Sequence, residues 1–288
     1  MLANRISNDG LVLFGVFRLK ILRVFIRRTS QTPIDDYVKI GMPDLFRPEE
    51  VEEVHISVLF TWDIEEGFEL QKNYLQHYTK VLIGGPAFVN NSYKPRFYPG
   101  RYVKKGIIIT TRGCNNNCPW CLVPKIEGKF KEINIEPGNI IQDNNILMAN
   151  KNHLRRVFQM LKDQRRIRFL GGLDKRLLKD WHIEELRSLK IEELWFSFDS
   201  WDDKKEFMKV TEKLRDSGFR RNQIRCYVLA GFNEPIQASE NRLRFVYECG
   251  ALPFIQVYRS ISEKKRFAGE ISREDNLFVR RMDVKSIR

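Results

Sequence analysis

The chain has 288 residues, 42% of them hydrophobic and 30% charged, and its 50 Lys and Arg against 37 Asp and Glu leave a formal net charge of +13. This composition excludes a disordered or low-complexity chain, and the length suits one barrel-sized domain with an appendage. Five cysteines, three of them between positions 114 and 121, speak against a disulfide framework and for a reducing, cytoplasmic setting.

Residues 1–31 read as a basic leader and a first strand around Ile21–Ile26. The apolar run that begins at Leu11 is interrupted by Arg18, Lys20 and Arg23, which is too short and too charged for a span, so no stable membrane insertion is expected. Residues 32–93 form the next unit, with eleven acidic residues against four basic ones. Arg27 to Asp44 carries Pro33, Gly41 and Pro43 and reads as irregular. Val51–Phe60 reads as a strand, and Glu66–Lys80 as a helix with Leu70, Tyr74, Leu75 and Tyr78 at helical spacing. Strand Val81–Ile83 and the turn Gly84–Pro86 complete a small βαβ unit of Rossmann-like type. His55 and His77 fall inside the strand and the helix, and all four histidines are singletons without metal spacing.

Residues 94–262 form the main domain, entered through a Gly/Pro/aromatic linker over Asn90–Lys105. Strands are expected at Gly106–Arg112, Asn139–Asp143, Ile167–Leu170, Glu193–Phe198, Gln223–Leu229 and Phe254–Tyr258. Helices fall between them at Asn152–Lys162, Arg176–Lys190, Asp203–Ser217 and around Glu240–Cys249. Six strands with crossover helices imply an α/β fold with a parallel sheet, curled by right-handed connections into a partial (βα)6 TIM-like barrel. Residues 263–288 read as a basic tail.

The first barrel strand runs into the loop Gly113–Lys129, where Cys114, Cys118 and Cys121 follow CxxxCxxC spacing. Gly113 lets the backbone leave the strand sharply, and Asn115 to Asn117 tolerate turn conformations, so the three thiols are brought toward one point. A structural zinc takes four ligands, and the nearest other candidates, His153 and Cys226, are distant in sequence. An iron–sulfur cubane held by three cysteines keeps one iron without a protein ligand. A zinc loop, an electron-transfer cluster and an open catalytic cluster all remain compatible with the spacing. Cys226 and Cys249 read as buried apolar residues.

Strand, CxxxCxxC loop and Trp120 just before the third cysteine together resemble the radical S-adenosylmethionine (SAM) superfamily over roughly residues 100–260. The resemblance implies a [4Fe–4S] cluster on Cys114, Cys118 and Cys121 whose open iron takes SAM. It implies an enzyme that cleaves SAM reductively to a 5′-deoxyadenosyl radical, supplied with electrons by a flavodoxin or ferredoxin. Its cobalamin-binding relatives use a D-x-H-x-x-G motif, which residues 32–93 lack, so that unit is expected to cover the barrel without cobalamin. Only Pro- and Gly-rich sequence follows Cys121, where the family usually has a helix.

The same resemblance assigns the polar strand ends, where barrels of parallel strands gather their chemistry. Either Asp143-Asn144-Asn145 or Gly171-Gly172-Leu173-Asp174 corresponds to the segment that holds the SAM amino group. Ser197 or Asp199 corresponds to the ribose contact. Val228–Glu234 resembles a GxIxGxxE segment, keeping Gly231 and Glu234 but not the first Gly. The plain alternatives are helix caps at Asp199 and Asn152 and a turn at Gly231. No Walker loop, Ser/His/Asp set or HExxH motif is present.

Charge concentrates between residues 94 and 131, with nine basic residues against one acidic. That block suits an acidic electron donor or a nucleic-acid substrate, and a solvated basic face is the plain alternative. A rival of another class is a non-catalytic nucleic-acid-binding module whose cysteine loop holds zinc.

Overall fold

The computed structural model describes residues 11–14, 17–44, 50–88, 100–235 and 237–258. Residues 1–10 of the leader, Asn90–Pro99 of the linker and the 263–288 tail lie outside the described residues. The chain divides into two compact units, Met1–Ile107 and Ile108–Arg288. Both are mixed α/β with parallel strands, and among the described residues no helix is long and apolar enough to cross a membrane.

The first unit contains β1 (Leu11–Phe14), β2 (Phe17–Phe25), β3 (Val38–Ile40), β4 (Glu53–Ser57), helix α1 (Ile64–Tyr74) and β5 (Val81–Gly84). β2, β4 and β5 run parallel in that order, while antiparallel β1 and parallel β3 share the other edge of β2. Alternation in β4 sends Val54 and Ile56 into a core with Leu22, Val24, Ile83, Leu70 and Tyr74. A Cβ on Gly67 of α1 would stand 2.6 Å from Val58 Cγ2, so only glycine lets the helix come this close. The opposite strand faces carry paired polar groups: buried Arg23 with Asp35, and Glu53 with both Lys80 and His55. β3 corrects the irregular reading of Arg27–Asp44, since three residues are too few to display a period. His77 lies in the turn after α1, not inside the helix.

The second unit contains β6 (Ile107–Ile108), β7 (Thr111–Arg112), α2 (Val123–Ile126), β8 (Lys131–Glu132), β9 (Ile140–Ile141), α3 (Lys151–Lys162) and β10 (Ile167–Phe169). It continues with α4 (Asp180–Arg187), β11 (Ile191–Ser197), α5 (Lys204–Asp216), β12 (Ile224–Ala230), α6 (Ala238–Glu248) and β13 (Leu252–Val257). Its main sheet has six strands in the order β6-β9-β10-β11-β12-β13, and the pairs from β9 to β13 are parallel with a helix in each crossover. Consecutive residues of β11, Leu194, Trp195 and Phe196, are all buried, as expected for a parallel strand covered on both faces. The helices bury one stripe each: Leu154, Val157, Phe158 and Leu161 on α3, Phe207, Val210 and Leu214 on α5.

Three boundaries differ from expectation for identifiable reasons. The strand expected over Gly106–Arg112 is broken into β6 and β7, and β7 pairs antiparallel with β8. At the break, buried Asp143 accepts hydrogen bonds from both the amide and the hydroxyl of Thr110. Helix α3 starts at Lys151 because Asn150, not Asn152, caps it, accepting from the His153 amide at 2.9 Å. Helix α4 begins only at Asp180, since Lys175–Leu177 form a 3-10 turn capped by Asp174.

Candidate cofactor site

The cysteine loop is tied down by its asparagines and by Glu127. Gly113 has φ +70°, and a Cβ there would meet the Lys129 carbonyl oxygen at 2.3 Å, so the loop leaves β7 hard against its own return segment. Glu127 accepts from the Gly113 amide at 3.1 Å and from the Asn144 side chain, and pairs with Arg112 at 3.4 Å. The Asn115 side chain accepts from the Phe130 amide at 3.0 Å. The Asn116 amide donates to Cys114 Sγ at 3.4 Å, and its side chain donates to Asp174 at 2.9 Å. Only the four-residue α2 follows the third cysteine, in keeping with the Pro and Gly content of that segment.

All three thiols are free and half-buried. Burial pushes the Cys118 and Cys121 thiols up; Cys121 and Cys114 add to the rise at Cys118 and the Arg176 guanidinium pulls it back, while at Cys121 the Val123 backbone hydrogen bond opposes burial and Cys114 adds to it. Among the described residues no three Cys, His, Asp or Glu side chains converge on a point that would hold a single ion. A cubane places its three thiolates on separate irons, so its ligands stand further apart than those of one ion. Three soft thiols with an N–H···S hydrogen bond on one of them form a donor set that fits such a cluster. Cys226 is fully buried with its sulfur against the Tyr227 carbonyl, and His153 faces Glu132; neither lines the cavity described next.

Beside the loop lies a cavity of about 1040 Å³. Its walls bring together Cys114, Cys118, Cys121, Trp120, Asn144, Asn145, Gly171, Gly172, Ser197 and Asp199. Gly231 is not among the lining residues; it occupies a turn after β12 at φ +80°. Its neighbour Phe232 meets Trp120 edge-on at 5.5 Å, while Glu234 is bound to buried Arg242.

The ends of β9 and β10 both reach the cavity, in different roles. Asp143 is buried under the wall, where burial lifts its carboxyl to about 6 against the hydrogen bonds from Thr110 and Thr111. Asn145 donates to Asp174 at 3.2 Å, and among the described residues neither its buried side-chain oxygen nor that of Gln142 has a hydrogen-bond partner. Among the described residues two acceptors without donors are therefore buried behind this wall. Gly171 is pressed against β9, since a Cβ would lie 1.8 Å from the Asp143 carbonyl oxygen. Asp174 gathers Asn116, Asn145 and a two-pronged bond from Arg176, both prongs at 2.8 Å. Burial alone would raise this carboxyl, but the bonds from Arg176 and Asn116 outweigh it and hold it at about 2.

The third wall comes from β11 to β13. Asp199 accepts from the Leu229 amide at 2.9 Å, so it is not the cap of the following turn; Ser200 is. Burial pushes the Asp199 carboxyl up, against the Leu229 amide, the Lys175 charge and Ser197. Buried Lys175 donates to the Ser197 carbonyl at 3.1 Å and to Asp203 at 2.7 Å. Below this rim Trp195 and Tyr227 stack at 4.3 Å, with Phe254 edge-on at 5.6 Å to Trp195. Sequence reasoning missed Glu127, Arg176, Gln142 and Tyr227, and treated Asp174 only as part of a glycine segment. Glu127 and Tyr227 have no local signal, because each acts through partners far away in the chain, and Arg176 reaches the loop only through Asp174.

No protein-family model matches the chain, and no curated protein matches it.

Proposed function

We propose that the chain is a radical SAM enzyme whose second unit is an open partial (βα)6 barrel, with the first unit as a Rossmann-like cover, working in a reducing cytoplasm. The observation that carries the reading is the joining of the three-cysteine loop to the ends of β9, β10 and β11 around one cavity. Cys114, Cys118 and Cys121 would hold a [4Fe–4S] cluster. When bound, the cluster supplies one electron to the sulfonium of SAM, giving methionine and a 5′-deoxyadenosyl radical for hydrogen abstraction. The SAM ammonium would be taken by Asn144 and Asn145 after β9 or by the Gly171–Gly172 segment, both of which line the cavity. Ser197 and Asp199 suit the ribose hydroxyls. Trp120, with Phe232 against it, limits water at the rim.

A flavodoxin or ferredoxin is the electron donor in this reading, attracted by exposed Lys125, Lys129 and Lys131 on the return of the cysteine loop. A nucleic-acid substrate would use the same lysines. The cavity wall itself carries Asp174, Asp199, Asp202 and Asp203 against Lys175 and Arg176, which favours a neutral or cationic substrate inside it.

The test is anaerobic reconstitution followed by iron, sulfide and zinc analysis and incubation with SAM and dithionite. Iron with acid-labile sulfide and release of 5′-deoxyadenosine and methionine are expected. Changing Cys114, Cys118 or Cys121 to Ala abolishes the visible absorbance, whereas Cys226→Ala and Cys249→Ala retain it. Zinc without sulfide, or an intact reduced cluster that leaves SAM uncleaved, overturns the proposal.

A further inference from the structure

A second cavity, of about 170 Å³, lies between the first turns of α3 and α4 and shares no lining residue with the first. Its apolar part is Leu147, Ala149, Leu154, Leu177 and the Trp181 ring. A void on the order of 150 Å³ accepts a benzene-sized body. Its polar part is Lys151, Lys179 and His182, with no acidic residue in the lining. Both lysines are exposed, and neither has an ion pair among the described residues; Lys151 Nζ stands 5.1 Å from the Trp181 ring centre.

His182 supplies the specific feature. It is 3% exposed, and its Nδ1 accepts from the Lys179 backbone amide at 2.9 Å. An amide keeps its proton, so the neutral ring carries its own proton on Nε2, and Nε2 has no partner among the described residues. Burial, then the charges of Lys179 and Lys151, push His182 down to about 4, so at neutral pH the ring is an uncharged donor. The N-termini of two helices add their positive ends on the same side.

We propose that this cavity is a binding site for a small monocarboxylate with a compact apolar body, about the size of benzoate. The body fills the space between Leu147, Leu154 and Leu177, and the carboxylate takes hydrogen bonds from the Lys151 and Lys179 ammonium groups and from His182 Nε2–H. A cationic ligand of the same shape meets only like charge, and a neutral amide forgoes the ion pairs.

Calorimetric titration of the full chain with benzoate, benzamide and benzylamine tests the site. Benzoate should bind one to one with a Kd near or below about 1 mM. Benzamide should bind at least about tenfold more weakly and benzylamine not measurably. Replacing Lys151 and Lys179 together with Gln, at exposed positions that leave the fold intact, should weaken benzoate about tenfold or more and leave benzamide unchanged. His182→Gln, checked for an unchanged thermal melt, should weaken benzoate further. Absence of saturable benzoate binding, equal affinity for benzoate and benzamide, or benzoate binding unaltered by the double lysine variant each overturns the proposal.

Discussion

The side chain of Asn116, in the middle of the cysteine loop, donates to the Asp174 carboxylate at 2.9 Å across 58 residues of sequence. Through that carboxylate the loop is joined to Asn145 at the end of β9 and to Arg176 beyond β10. Asp174→Ala should release all three and cost about 2 to 3 kcal/mol of stability, the range for hydrogen bonds to a charged group. Because its folded value is held at about 2, below the ordinary 3.8, its contribution is present above about pH 4 and fades as pH falls toward 2. Thermal melts at pH 7 and pH 3 should show the variant's deficit shrinking at the lower pH. If the loop holds the proposed cluster, iron retained after gel filtration should fall as well.

Asp143 carries the opposite sign. Burial lifts its carboxyl to about 6, so it holds its proton in the fold at a pH where the unfolded chain has lost it. Below pH 3.8 both states are protonated and there is no cost; between 3.8 and 6 stability falls as pH rises; above 6 the cost is constant. Asp143→Asn removes the titration while keeping an acceptor for the Thr110 amide. Urea unfolding at pH 4 and 7.5 should show the variant gaining on the parent by on the order of 2 kcal/mol over that interval. Parallel pH profiles for the two proteins would refute this.

Two adjacent glycines should respond unequally to alanine. At Gly171 the new Cβ would lie 1.8 Å from the Asp143 backbone oxygen, just after β9, and neither atom can yield without moving the backbone, so a loss above about 3 kcal/mol is expected. At Gly172 nothing lies within 4 Å, and only the φ of +99° opposes a side chain, a strain of about 1 to 2 kcal/mol. Chemical denaturation of both variants gives the ranking directly.

Asp199 separates structure from recognition. Its Oδ1 accepts from the Leu229 amide, and the residue lines the cavity. Asp199→Asn preserves an acceptor for that amide and should leave iron content and the melting temperature near the parent's. SAM affinity should fall by about one to two decades if the charged carboxylate holds a ribose hydroxyl. Equilibrium dialysis with labelled SAM measures it.

Lys125 and Lys129 are exposed on the return of the cysteine loop. If the proposed function holds, changing both to Gln should slow flavodoxin-driven SAM cleavage several-fold, an effect that raised salt removes, and should leave dithionite-driven cleavage within about twofold. Salt-sensitive RNA retention by the parent, lost in the variant without change in flavodoxin-driven turnover, would assign the lysines to a nucleic acid instead.

The features legible in the sequence are local ones. Apolar period placed β4, α3, β11, α5 and β12 within a few residues, because burying one stripe or one face imposes its spacing on the chain directly. Gly113 and the three-cysteine spacing marked the loop, since a left-handed backbone and clustered thiols are properties of adjacent residues. Tertiary structure alone decided the rest. Nothing near Glu127 announces that it holds Gly113 and Asn144, nothing near Thr110 announces that Asp143 will break the first strand, and Gly231, quoted from a plausible motif, lies outside the cavity lining. The physical reason is that a carboxylate inside the fold takes whatever donors the packing brings to it, and here, Arg176 on Asp174 apart, those donors come from strand ends and loops 14 to 58 residues away.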